Sequence, residues 1–261
     1  MNSVVSVTER IQMLAAKILA THAAGRGLCL VGGFRYRMLD GSARASLDLD
    51  YHWDGNLANK QAEVAEVLRG KLLPEVQRQV GLAGDVRLAA GPTADSAVVR
   101  TVELAFYHMA ESGSRLEIPV DILGIARLDP PIVRTVVGTV FLTLSDADMI
   151  ESKVLACLVR SFFQIRDALD LFLFQDALLS DSPRRLAQKF SRLSLPVLDA
   201  MERLERLAKN RSVHIRSLER LLDEQVNAPA AANLREAGGA EMVWDAVMSR
   251  LRDMLDQAME A

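Results

Sequence analysis

The sequence is poor in aromatic residues. Phe, Trp and Tyr together make up 5% of its 261 residues. A core must therefore be built from Leu, Val, Ala and Met, and the basic stretches carry no interleaved aromatics of the kind that stack on single-stranded bases. Cysteine is scarcer still. Cys29 and Cys157 both sit in apolar patterns, which excludes a disulfide-stapled scaffold and reads as two reduced, buried thiols. The four histidines (His22, His52, His108, His214) lack metal-ligand spacing. No apolar run reaches the length of a bilayer span, and the opening MNSVVSVTERIQ lacks the basic and apolar regions of a signal peptide. The expected location is the cytoplasm, with no membrane partner. A net charge of −3 excludes a generally basic nucleic-acid coat but leaves room for a local basic groove. There is no internal repeat and no low-complexity tail.

What is present is a large apolar fraction, half of all residues, in a chain long enough for one large domain or two small ones. The stretch Leu28 to Asp50, LCLVGGFRYRMLDGSARASLDLD, organises it. Leu28 to Val31 reads as a buried strand stopping at the Gly32-Gly33 turn, with a short helix from Phe34 to Leu39 opening on bare backbone. Such a helix N-terminus offers free N–H groups and partial positive charge to a phosphate. A second strand follows in Ser46 to Tyr51 and is expected to run to Trp53. Alternation would put Asp48 and Asp50 on one face and Leu47, Leu49 and Tyr51 on the other. Two carboxylates side by side repel unless a cation sits between them, and in a phosphate site that cation is Mg²⁺.

Around this stretch the pattern is mixed at first and helical later. Val5 to Ala24 reads as an amphipathic helix with Val7, Ile11, Leu14, Ile18 and His22 near one stripe, ended by Gly25-Arg26-Gly27. Leu57 to Val80 is helical, kinked or divided at Pro74. Strands are expected at Asp85 to Ala89, Ala97 to Tyr107 and Arg115 to Leu123, with turns at Gly91-Pro92 and Ser112-Gly113-Ser114; the last two strands look like a hairpin. Asp121 stands in an otherwise apolar strand, where a lone Asp is costly unless paired, hydrogen-bonded or metal-bound. Pro119 suggests a strand edge or start. Ile132 to Leu144 is read as one more strand. Ser145 and Asp148 form an S-x-x-D capping box, after which everything is helical. The expected fold class is thus α+β, a small mixed sheet with flanking helices over 1–144, followed by an all-helical domain over 145–261.

In the helical half, Lys153 and Arg160 are the cations of a helix with an apolar side of Met149, Ile150, Val154, Leu155, Cys157 and Leu158. Arg166 and Asp170 lie four apart on the next helix and can pair. From Asp181 to Arg220 the chain carries ten Lys or Arg against five Asp or Glu, either a solvated face or a wall for a polyanion. Asn227 to Gly239 reads as a loop, and Met242 to Met259 as a last amphipathic helix.

A phosphate-cradling turn, a D-x-D run and a third Asp on a later strand together describe metal-dependent nucleotidyl transfer, with Asp48, Asp50 and Asp121 as metal ligands. The run Gly32-Gly33, Arg44-x-Ser46-x-Asp48-x-Asp50, Lys153 and Arg166-Asp167-x-x-Asp170 resembles the AbiEii-type nucleotidyltransferase toxins of abortive-infection, type IV toxin–antitoxin systems, within the DNA polymerase beta-like superfamily. The resemblance covers residues 28–175. It implies nucleotide contacts from Gly32, Gly33, Arg44, Ser46, Lys153 and Arg166. It also implies that Asp167 and Asp170 organise the site from the helical side, or that Asp170 holds Arg166. The substrates it implies are an NTP with Mg²⁺ and an RNA acceptor, often a tRNA 3′ end, and the partner it implies is a cognate antitoxin. Phe34 stands where the family has Ser or Thr; Arg35 or Arg37 could compensate. Two alternatives remain open: a small-molecule nucleotidyltransferase, and a catalytically altered homologue that binds nucleotide or protein.

Overall fold

The computed structural model describes residues 6–89, 99–108, 115–160 and 162–260. The expected turns at Gly91-Pro92 and Ser112-Gly113-Ser114 lie outside them. The chain divides into two compact units. One holds Met1–Gly41, Ala45–Ile125 and Pro131–Thr143; the other holds Ser42–Arg44, Ala126–Pro130 and Leu144–Ala261.

The described part of the first unit is a seven-stranded mixed sheet in the order β3-β4-β5-β2-β1-β7-β6, with helices packed on it. Helix α1 (Val7–Thr21) starts at Ser6, whose hydroxyl accepts the N–H of Glu9, and it buries Ile11, Ala15, Ala16 and Leu19. The buried stripe is therefore turned from the expected one: Val7 is exposed, while His22 closes the helix by donating its N–H to the carbonyl of Leu19 and starts the next turn by accepting the N–H of Ala24. Strand β1 (Cys29–Val31) is buried throughout and pairs antiparallel with β2 (Leu49–His52) and parallel with β7 (Thr139–Thr143). The expected strand from Ser46 is shorter than alternation suggested. Ser46 to Asp48 precede it, Leu47 is exposed, and the ladder begins at Leu49 and closes at His52, one residue before Trp53.

Helix α3 (Leu57–Val67) passes through a π-helical turn, Leu68–Leu72, into α4 (Leu73–Val80). Pro74 in the first turn of α4 has no N–H to offer, and the wider turn before it accommodates that gap. Strands β3 (Ala83–Leu88), β4 (Val99–Tyr107) and β5 (Arg115–Leu123) form an antiparallel meander, and β5 then pairs parallel with β2. Pro119 is thus neither at the start of its strand nor on an edge strand. Pairing with β2 begins at Val120, one residue later, so the missing N–H falls where only β4 lies alongside. Ile132 to Leu144 is not one strand but a hairpin of β6 (Ile132–Val136) and β7. Val137 and Gly138 both take positive φ (48° and 72°), the geometry of a two-residue turn that matches strand twist. A β-branched residue at such a turn carries no sequence signal for one.

The second unit is helical in its described residues: α5 (Asp146–Val159), α6 (Ile165–Phe174), α7 (Ser182–Arg192), α8 (Val197–Lys209), α9 (Arg211–Glu224), α10 (Ala228–Glu236) and α11 (Gly239–Glu260). Its core gathers around α11, whose Val243, Trp244, Val247, Leu251 and Leu255 are buried among residues of α5 to α9. The expected loop at Asn227 to Gly239 is mostly helix α10. Asn227 caps it by accepting the N–H of Ala230, and Pro229 sits in the first turn, where its missing N–H costs nothing. No helix among the described residues is long and apolar enough to cross a membrane.

Candidate active site

The sheet unit sets two of the three candidate aspartates, Asp50 and Asp121, side by side. Asp50 lies opposite Asp121 in the parallel β2–β5 pair, and Asp121 lies opposite Thr101 in the antiparallel β4–β5 pair. Thr101, Asp121 and Asp50 therefore form a row across three strands. Asp48, two residues before Asp50, is buried. Its Oδ1 accepts the hydroxyl of Ser46 at 2.8 Å, and Asp121 Oδ1 accepts the hydroxyl of Thr101 at 2.6 Å. On the opposite face, Leu49 and Tyr51 enter the apolar core, and burial raises the Tyr51 phenol so that it stays neutral.

The glycine turn meets the same row. Val31 pairs with Asp50, so Gly32 begins α2 (Gly32–Leu39) directly beside that carboxylate. Gly32 has φ +72°, and a Cβ there would fall on Asp50 Oδ2. Glycine is thus required twice, by backbone conformation and by the close approach of Asp50. Where the resemblance would put a Ser or Thr, Phe34 buries its ring in the sheet unit's core. Neither neighbouring arginine stands in for it: buried Arg35 bonds Asp40 and Thr143, and Arg37 bonds Glu9 at 2.9 Å.

In the helical unit Arg44, Lys153, Asp167 and Asp170 form one buried ion cluster. Arg44 donates to both oxygens of Asp170, at 2.7 and 2.8 Å, and Lys153 Nζ lies 2.8 Å from both Asp170 and Asp167. Arg160 completes it at 2.8 Å from Asp167. Burial opposes the charge on Lys153, but Asp167 and Asp170 overcome it and hold the ammonium above its ordinary value. Burial likewise opposes the charge on Asp170, and Lys153 and Arg44 pull its carboxyl below the usual range. The i,i+4 pairing expected of Arg166 and Asp170 is superseded: Asp170 is taken by Arg44 and Lys153, and Arg166 donates to Gln164. Tertiary partners bring a fork and an ammonium to a buried carboxylate, which a surface pair cannot match.

A second buried cluster went unnoticed in the sequence. Asp148 does not reach back to its capping partner but accepts the N–H groups of Leu128 and Asp129. With Glu151 it flanks Lys189, 2.7 Å from each, while Arg185 reaches Asp129, Asp148 and Glu151. Lys189 and Arg185 are two of the ten cations between Asp181 and Arg220, so the basic wall loses them to the interior. Arg184, Arg192, Arg206, Lys209, Arg216 and Arg220 remain exposed. The spacing of Asp148, Glu151, Arg185 and Lys189 along two helices was the available signal, since each pair recurs at helical period.

The donor set of the sheet unit suits Mg²⁺, because every group offered is a carboxylate oxygen. Among the described residues, no three His, Cys, Asp or Glu side chains form a ready-made metal cage. Mg²⁺ is commonly held by one or two carboxylates together with substrate phosphates.

The sheet unit thus joins a strand, a glycine turn into a helix and acidic residues on adjoining strands. No family model and no curated protein matches the sequence. Solved structures do match. JHP933 of Helicobacter pylori shares 14% identity over 97% of this chain and 92% of its own, with a TM-score of 0.50. A second H. pylori protein, provisionally called a nucleotidyltransferase, shares 15% over 97% and 99%, with a TM-score of 0.56. The nucleotidyltransferase toxin MenT4 of Mycobacterium tuberculosis shares 14% over 97% and 93%, with a TM-score of 0.48. At these identities the likeness is one of fold.

Proposed function

We propose that this chain is an Mg²⁺-dependent nucleotidyltransferase that moves a nucleotide from an NTP to an RNA acceptor such as a tRNA 3′ end, acting as the toxin of a type IV toxin–antitoxin pair. The observation that carries the reading is the register of Asp50 against Asp121, with Gly32 pressed against Asp50. A phosphate-accepting helix start and two carboxylates on adjoining strands are the parts that nucleotidyl transfer requires. Asp48, Asp50 and Asp121 would hold Mg²⁺, which when bound would stabilise charge developing on the triphosphate. Asp121, held at Oδ1 by Thr101, is the group to take the proton of the attacking hydroxyl. The exposed cations from Arg184 to Arg220 suit a polyanionic acceptor.

A non-catalytic reading would rest on Phe34 in place of the Ser or Thr. With that ring in the core, its presence is accounted for by packing, and the enzymatic reading stands ahead. The test incubates the protein with Mg²⁺, each labelled NTP in turn and total bacterial RNA, beside an Asp48→Ala/Asp50→Ala variant. RNA labelling by the wild type, falling at least about 100-fold in the variant, is the expected result. Label on a protein band or a small hydroxylated compound would change the acceptor, and equal labelling by both proteins would remove the carboxylates from the mechanism.

A further inference from the structure

The Ser46–Asp48 backbone has a problem that the fold must solve. It carries a carboxylate of the proposed site yet lies before the start of β2, so no ladder holds it. The side chain that does so is Gln12 of α1. It is almost wholly buried, and its Nε2 donates to the carbonyls of both Ser46 and Asp48 at 3.2 Å. Ser46 then passes its hydroxyl to Asp48 Oδ1. The same device recurs at the other carboxylate. Gln61 of α3, also buried, donates Nε2 to the carbonyl of Thr101 at 2.6 Å, and Thr101 passes its hydroxyl to Asp121 Oδ1. A buried amide is costly, and an aliphatic side chain would fill either space at less expense. Both amides are spent on the backbone of the residue whose hydroxyl grips a carboxylate.

We propose that Gln12 and Gln61 are positioning residues for the proposed metal carboxylates, acting through Ser46 on Asp48 and through Thr101 on Asp121. The inference rests on the nucleotidyltransferase reading. Pre-aligned carboxylates bind a cation without first reorganising, so loosening either relay weakens the site more than it weakens the fold.

The experiment titrates the full chain with Mn²⁺, as a spectroscopic substitute for Mg²⁺, by electron paramagnetic resonance and calorimetry. It compares the wild type with Gln12→Met, Gln61→Met, Thr101→Val, Thr101→Ser and an Asp50→Asn control, with melting curves on each. Expected is Mn²⁺ binding by the wild type that Asp50→Asn abolishes. Gln12→Met, Gln61→Met and Thr101→Val should bind about 10- to 100-fold more weakly, and Thr101→Ser, which keeps the hydroxyl, should bind like the wild type. Wild-type Mn²⁺ affinity in Gln12→Met and Thr101→Val would overturn the proposal while leaving the metal reading intact. Absence of Mn²⁺ binding by the wild type would overturn the metal reading and this proposal with it. Should Gln12→Met fail to fold, Thr101→Val against Thr101→Ser still decides, because that pair differs in the retained hydroxyl.

Discussion

Replacing Asp170 by Asn tests whether the motif residues of the helical unit act as one buried ion cluster. The substitution keeps size and removes charge. In the wild type the fully buried carboxylate receives Arg44 at 2.7 and 2.8 Å and Lys153 at 2.8 Å. After it, Arg44 and Lys153 face an amide, and the four innermost groups go from balanced charge to an excess of one positive charge. Removing one partner of a buried pair costs about 3–5 kcal/mol. Lys153 retains Asp167, which places the expected loss near the lower end, about 3 kcal/mol. With an m-value of about 1–3 kcal/mol/M, the urea midpoint should fall by about 1–3 M. Trp244, buried in the helical core, reports that unit's unfolding once Trp53 is replaced by Phe. The pH dependence follows from the shifts. Asp170 titrates below its ordinary value, so its contribution is complete above about pH 3.9 and is lost as pH falls through the folded-state value. Lys153 titrates above its ordinary value, so its contribution is complete below about pH 10.4 and is lost at higher pH. Asp170→Asn should lower the whole plateau between these limits and flatten its acid side. A Lys153→Met/Asp170→Asn double variant should lose less than the sum of the single losses, by more than about 0.5 kcal/mol. A loss under about 0.5 kcal/mol for Asp170→Asn, or strict additivity, would refute the cluster as a coupled unit.

Two further perturbations separate local causes. Gly32→Ala and Gly41→Ala both force a side chain onto positive φ (72° and 71°), costing about 1–2 kcal/mol each. Only at Gly32 does the new Cβ meet Asp50; at Gly41 it meets open space. NTP binding, followed by equilibrium dialysis, should therefore collapse in Gly32→Ala and survive in Gly41→Ala, and equal binding would show that Asp50 does not need that approach. His214 stacks on Trp244 at 4.7 Å between rings and is disfavoured as a cation, first by burial and then by Arg203. Its ring protons in an NMR titration should move below pH 6.5, with Arg203→Gln shifting the midpoint upward. The stability tied to that neutral ring is present above about pH 6.5 and declines as pH falls toward the folded-state value. A wild-type midpoint at or above 6.5 would contradict the packing around it.

Local pattern was a good guide wherever a residue's role depends on its near neighbours in the chain. Ser145 announced a helix start, Pro74 the division of α3 from α4, and Gly32-Gly33 the turn from β1 into α2. Where local signals were ambiguous the reading failed. Ala and Pro after Asn227 read as a loop, yet Asn227 caps a helix whose first turn tolerates Pro229. The Val137 turn has no turn residue at its first position, so β6 and β7 merged into one strand. The candidate site divides in the same way. Gly32, Asp48, Asp50 and Asp121 could be singled out because carboxylates and glycines stand out from apolar strands; of the apolar residues expected on the core face, Leu49 and Tyr51 lie there and Leu47 is exposed.

The amino-acid sequence by itself determined the mixed-then-helical order of elements, the glycine turn and the acidic residues near it, since each follows from short-range periodicity and residue chemistry. Only the tertiary structure decided which charges meet. That Asp121 stands beside Asp50 depends on the parallel pairing of two strands far apart in the chain. That Asp170 belongs to Arg44 and Lys153, and that Lys189 and Arg185 leave the basic surface for the interior, depends on helices packing around a shared core. Gln12 and Gln61 look like ordinary polar positions on amphipathic helices until folding buries them against two backbone carbonyl groups. Coulombic and hydrogen-bond partners act over a few ångströms of space irrespective of separation along the chain, so no local pattern carries them.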